Sequence, residues 1–184
     1  MNFHYVPFLK LALQTMNSHP TLPPLELVRI DEILQQLLQE ETELQFVCFT
    51  EQTAWEVGSA LIDQAVRENL AVTVDIARGD HQLFHASRPG TSADNDEWIK
   101  RKARLVSRFG HSSFYMGQLL KSKGKSLEDS YLIPEGTYAP HGGCFPILIK
   151  GTGMIGTITV SGLQQEEDHR LVVETIREYL RTQQ

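Results

Sequence analysis

The stretch Tyr138–Leu163, YAPHGGCFPILIKGTGMIGTITVSGL, constrains the fold more than any other part of the chain. Phe145–Lys150 is a short apolar run, and Ile155–Ser161 is a second one rich in β-branched side chains. Between them lies Gly151-Thr152-Gly153, whose glycines can take the positive φ that a short hairpin connection needs. Both runs carry apolar side chains on both faces: Ile147 and Ile149 against Leu148, and Ile155 against Ile158 and Val160. Strands of that kind are covered on two sides. The hairpin is therefore expected inside a sheet, with the rest of the chain arranged around it.

A chain of 184 residues is long enough to bury a real core. Its net charge of −6 argues against a general nucleic-acid binder, whose phosphate contacts need a basic surface. The two cysteines, Cys48 and Cys144, have no paired C-x-x-C spacing. That points to a reducing compartment, without a disulfide framework or a structural zinc site. No apolar run approaches the ~20 residues of a membrane span, and the start, MNFHYVPFLK, lacks the pattern of a signal peptide. The expected setting is cytoplasmic, with neither a membrane nor nucleic acid as partner.

Residues 3–16 are apolar and aromatic and are followed by Ser18-His19-Pro20-Thr21-Leu22-Pro23-Pro24. Residues 1–24 thus read as an N-terminal extension with a stiff Pro-rich linker, and residues 25–184 as the domain. From Leu25 to Glu41 apolar residues recur at helical spacing, and Leu44–Thr50 reads as a strand. Thr53 and Glu56 form a capping-box pattern for a helix to about Asn69, apolar nearly all round and so expected to be well buried. Leu70–Ala77 and Gln82–Ala86 read as strands joined at Gly79-Asp80. Asp94-Asn95-Asp96 can cap a helix from about Glu97 to Phe109. Further helices are expected at Ser112–Lys121 and Gln165–Arg181. Strands that arrive as hairpins make a mostly antiparallel sheet, with helices free to cover both faces.

At about 100° per residue, Trp98, Ile99, Ala103, Leu105, Val106 and Phe109 form one apolar helix face, and Lys100, Arg101, Arg104 and Arg108 fall opposite. Lys102 breaks the pattern by lying near the middle of the apolar face. An ammonium aimed at a core is costly unless paired; it marks either a structural ion pair or a functional site. His169 repeats the oddity on the last helix, sharing a stripe with Val172, Val173, Ile176 and Leu180. Such a histidine is more often a core residue with one hydrogen bond than a ligand. His81 and His85 share a strand face but stand roughly 13 Å apart, too far to hold one ion together. His141-Gly142-Gly143 admits two readings: a turn that needs glycine, or backbone N–H groups and an imidazole presented to a ligand. Cys144 beside it lacks an identifiable third group for nucleophilic catalysis. P-loop, dinucleotide, zincin and nucleophile-elbow motifs do not occur.

The runs LFHASRPGTSADNDEWIKRKARLVSRFGHSSFYMG (Leu83–Gly117) and YAPHGGCFPILIKGTGMIGTITVSGLQQEEDH (Tyr138–His169) resemble the haem-degrading, GlcG/HbpS-like family, and its short, functionally uncharacterised branch in particular. The resemblance spans roughly residues 25–181. It implies an α/β (α+β) profilin-like fold, a five-stranded antiparallel sheet between helices, in a homo-oligomer, with haem bound in some relatives. Trp98, Arg101, Lys102, His141, Gly142, Gly143 and His169 stand on motif positions. They suggest a pocket formed by the third long helix, the Gly-Gly turn and the last helix.

Three functions follow as expectations. The first is a binding module for haem or another small anionic molecule, with Lys102 and Arg101 pairing carboxylates, Trp98 stacking, and His85 or His141 as the imidazole contact. The second is a structural or adaptor oligomer in which Lys102 and His169 are core ion pairs. The third is a small-molecule enzyme with Lys102 as base or nucleophile.

Overall fold

The structure, a computed structural model, describes residues 24–134 and 136–183. The expected N-terminal extension and linker lie outside the described residues, apart from Pro24. The order is α1 (Pro24–Glu43), β1 (Gln45–Phe46), α2 (Glu51–Arg67), β2 (Thr73–Arg78), β3 (His81–Ser87), α3 (Ala93–Phe109), α4 (Ser113–Lys123), α5 (Leu127–Tyr131), β4 (Cys144–Ile149), β5 (Gly153–Ser161) and α6 (Gln165–Thr182). The strands form one open sheet in the order β1-β4-β5-β2-β3, flanked by helices. The β4–β5 hairpin is interior, as expected. Gly151 and Gly153 turn it with φ of 73° and 101°.

The sheet is antiparallel except at β1, which runs parallel to β4. The strand expected over Leu44–Thr50 shrinks to two residues. Val47 and Cys48 are exposed, and the chain turns out of the sheet at once. The cap of α2 is Thr50 paired with Thr53, not Thr53 with Glu56, so the helix starts two residues before Thr53. Nor is α2 buried all round: Trp55 and Val66 are exposed, while Ala54, Val57, Leu61 and Ala65 carry the packing.

The two faces of the sheet differ sharply. Val74, Ile76, Phe145, Ile147, Ile158 and Val160 meet α2 and α6 in one apolar core. Fully burying each such side chain contributes about 1.5–3 kcal/mol. Across the sheet, β5 alternates instead of being apolar on both sides: Thr157, Thr159 and Ser161 are buried on the face under α3. Thr159 stands between Cys144 and Asp75, Ser161 pairs with Thr73, and Thr157 lies between Pro146 and Ala77. A second, smaller core of Leu105, Met116, Leu120 and Leu127 joins α3, α4 and α5. The polar layer between α3 and the sheet is where the candidate site lies.

Candidate ligand-binding cavity

Asn95, in the first turn of α3, fixes the wall of the site. Its Oδ1 accepts the Ser92 N–H at 2.8 Å, and its Nδ2 donates to the Ser161 carbonyl at 3.2 Å. The helix start is thereby tied to the end of β5. Asp94, Asn95, Trp98 and Lys102 follow at helical spacing along one side of α3 and line a cavity of about 360 Å³. Its opposite wall comes from His141, Gly142, the β5–α6 turn and Asp168 in the first turn of α6.

Lys102 is 3% exposed, as its place on the apolar face predicts. Its Nζ donates to Asp168 Oδ2 at 3.0 Å and to the Val160 carbonyl at 2.9 Å. Asp168 Oδ1 accepts the Leu163 N–H at 3.0 Å. Burial raises the Asp168 pKa; the Lys102 charge and hydrogen bond, with the Leu163 and Gly162 amides, oppose that shift without cancelling it. An ammonium has three protons. Two are committed, and the residue still lines the cavity.

Trp98 donates Nε1–H to Asp94 Oδ2 at 3.1 Å. The Arg101 guanidinium carbon lies 4.0 Å from its ring centroid, and the His141 ring meets it edge-on at 5.2 Å. Arg101 therefore stacks on Trp98 while His141 packs edge-on against it, and Arg101 Nε also donates to the Glu97 carbonyl. The two glycines serve close approach. A Cβ on Gly142 would meet the Gln165 carbonyl oxygen; Gly143 has φ of 113°, with Lys102 Nζ only 2.7 Å from where its Cβ would stand.

The other two candidate histidines lie elsewhere. His169 is buried between Phe114 and Phe145, with one hydrogen bond, Nε2–H to Glu40 Oε2 at 3.0 Å; its Nδ1 is buried without a partner. Burial tends to raise the Glu40 pKa, but the hydrogen bonds from His169 and Gln36 and the His169 charge outweigh it, and the net shift is downward. His85 sits on β3 with Nδ1 3.1 Å from Asp75 Oδ1. Cys144 is no nucleophile: burial pushes its thiol up to about 12, and Thr159 donates to its Sγ at 3.1 Å. The sequence reading missed Asp168 as the partner of Lys102. The signal was present, because Asp168 precedes Val172 by four residues and so is a charge on the buried stripe of α6. In the sequence Asp94 and Asn95 stand out only as candidate caps.

A profile described as "Haem degrading protein HbpS-like" matches residues 49–177. The UPF0303 protein SCO2848 of Streptomyces coelicolor is 41% identical over 165 residues, 90% of this chain and 99% of that one. The chain belongs to the HbpS-like haem-degrading family. Among solved structures, the Ybr137w protein is 30% identical with a TM-score of 0.76, covering 89% of this chain and 98% of its own. The PduOC:Heme complex has a TM-score of 0.59 at 19% identity, covering 71% of this chain and 94% of its own, a likeness of fold. Among the described residues no helix is long and apolar enough to cross a membrane.

Proposed function

We propose that this chain is a binding module for a small polar molecule, held between the first half of α3 and the start of α6. The observation that carries this reading is that the buried Lys102–Asp168 pair borders a cavity of about 360 Å³ instead of being sealed inside a core. A pair that served folding alone would need no such space beside it, which is why the adaptor reading ranks second. Trp98 offers a ring face or edge to a planar group, and the remaining Lys102 proton offers a donor to a carbonyl or carboxylate oxygen. The Lys102 charge is already balanced by Asp168, so preference for an anion rests on Arg101, which packs on Trp98 and does not itself line the cavity. Committed to a carboxylate and a carbonyl, Lys102 suits binding and folding better than nucleophilic attack. A homo-oligomer in the cytoplasm belongs to the same reading, on the strength of the family likeness.

Haem, bound in the PduOC complex, does not fit this cavity. A porphyrin needs an apolar slot with an axial ligand beside it. Here Trp98 and Leu163 are the large apolar side chains on walls otherwise polar or glycine, and of the three candidate imidazoles only His141 borders the space.

The test is a pair of titrations on the full chain, with haemin followed in the Soret band and with small carboxylates and carbonyl compounds followed by amide chemical shifts. Saturable shifts at Gly142, Leu163 and Asp168 with a small compound, lost in Trp98→Ala, are expected. A saturable one-to-one haemin shift lost in His141→Ala would overturn the exclusion of haem. Silence at those amides with every compound would return the chain to the adaptor reading.

A further inference from the structure

β3 forms one edge of the sheet, and among the described residues it pairs with β2 alone. The Arg88 N–H donates to the Val72 carbonyl at 2.9 Å. By the alternation of an antiparallel ladder, Ala86 and Phe84 also turn their backbone groups toward β2. The N–H and C=O groups of His85 and Ser87 therefore point out of the sheet. Such edges are usually blunted by Lys, Pro, inward charge or a bulge. β3 holds no Lys, Arg, Asp, Glu or Pro, and its one device is the register shift that leaves out Leu83. Beyond that shift, Phe84–Ser87 form a regular edge. The helix over this edge is apolar on the side that overlooks it. α2 packs on both β2 and β3, and Gly58 permits its close approach, since a Cβ there would run into the Phe84 ring. Trp55, Ile62 and Val66 recur at helical spacing on one stripe of α2, with Ser59 between them. Trp55 is 62% exposed and meets the Phe84 ring edge-on, and Val66 is 50% exposed. An apolar stripe without charge thus runs beside an unpaired strand.

We propose that this edge is a two-fold interface with a second copy of the chain, β3 against β3 antiparallel, centred on Ala86. In that register His85 of each copy exchanges backbone hydrogen bonds with Ser87 of the other, which satisfies the outward groups. Ala86, a small residue, meets its own mate across the axis. A two-fold contact needs a patch that complements itself. This one does: the antiparallel helices bring Trp55 of one copy opposite Val66 of the other. Because α2 sits between β2 and β3, its mate stands two strand spacings away, about 10 Å, a distance at which helices pack. Charge favours a second copy over another partner. Each chain carries a net −6, so two copies repel except where their facing surfaces hold no charge, as here. A strongly charged partner would find nothing to pair with on this strip. No residue of β3 or α2 lines the Lys102 cavity. The interface gives the homo-oligomer a surface, and its failure would leave the binding reading untouched.

The experiment is sedimentation equilibrium of the full chain beside Trp55→Lys and Val66→Lys, two exposed positions, with folding checked by circular dichroism. The parent is expected as an even-numbered assembly and each variant at half its mass. Hydrogen exchange reads the strand itself. The His85 and Ser87 amides should be protected in the parent and lose that protection in Trp55→Lys, while the Phe84 and Ala86 amides, bonded to β2, stay slow in both. Ala86→Cys in a Cys48→Ser background should form a disulfide-linked dimer when an oxidant is added. Cα atoms facing each other across a non-hydrogen-bonded antiparallel pair stand about 4.5 Å apart, within disulfide reach. A monomeric parent would overturn the proposal, and so would an assembly whose mass survives both lysines. Fast exchange at His85 and Ser87 in an assembled parent would overturn it too, by placing the contact on another face.

Discussion

Removing an ammonium and a carboxylate from water costs several kcal/mol for each, and Lys102 and Asp168 recover it from one another and from the carbonyl and amide beside them. Such a pair adds little net stability, yet losing one member leaves the other charged and dry. Lys102→Met should therefore destabilise the chain by about 3–5 kcal/mol, read from urea denaturation at neutral pH. Adding Asp168→Asn should restore part of that loss, because the stranded carboxylate is removed while its Oδ1 can still accept the Leu163 N–H. If the double variant were no more stable than Lys102→Met, the cost would lie in lost packing rather than in unpaired charge. The neighbouring arginine differs: Arg101 packs on the face of Trp98 near water, where a cation–π contact is worth about 0.5–1 kcal/mol.

At the level of elements, local chemistry foretold most of what forms. The helices α1, α3, α4 and α6 and both hairpins follow from apolar spacing, caps and glycine turns, which are properties of neighbouring residues. The failures also have local causes. LQFVCFT looks like a strand by composition, but only Gln45 and Phe46 find a partner strand. The five-residue α5 is too short for periodicity to show; it begins at a capping box between Ser126 and Asp129. In β5 the alternation Thr157, Ile158, Thr159, Val160, Ser161 was legible, and it marks the polar face that α3 covers. The Gly-Gly turn gives the sharpest element-scale prediction. Gly142 has no room for a Cβ because the Gln165 backbone lies against it, so Gly142→Ala must push the start of α6 away. The expected cost is about 1–3 kcal/mol, as for other overpacked sites, with faster hydrogen exchange at the Leu163 and Asp168 amides. Unchanged exchange there would mean that the loop, not α6, absorbs the methyl group.

Across the whole molecule, the partners of Glu40 and Glu41 were not legible, because packing sets them over long stretches of chain. Glu40 reaches His169 across 129 residues, and Glu41 accepts from the Ser112 amide at 2.7 Å and meets His111 Nδ1 at the same distance. Two adjacent carboxylates at the end of α1 thus tie that helix to α4 and α6, and acid should act through this tie. The Glu40 pKa is lowered in the folded chain, so on acidification the unfolded chain takes up its proton first. The stability contributed is present above the unfolded carboxylate value of about 4.3 and is lost as pH falls through the folded value. Asp168, whose pKa is raised, works in the opposite sense: its folded form holds a proton the more tightly, which favours folding as pH falls. Comparison with Glu40→Gln separates the two contributions, since only the Glu40 part is removed. Urea unfolding from about pH 6 down to pH 3 should show the variant less stable than the parent at the upper end, by about 1–3 kcal/mol. The two should converge at the lower end, where the parent has lost its Glu40 carboxylate. Parallel curves over the whole range would show that the hydrogen bond to His169, and not the Glu40 charge, is what α1 contributes to holding α6.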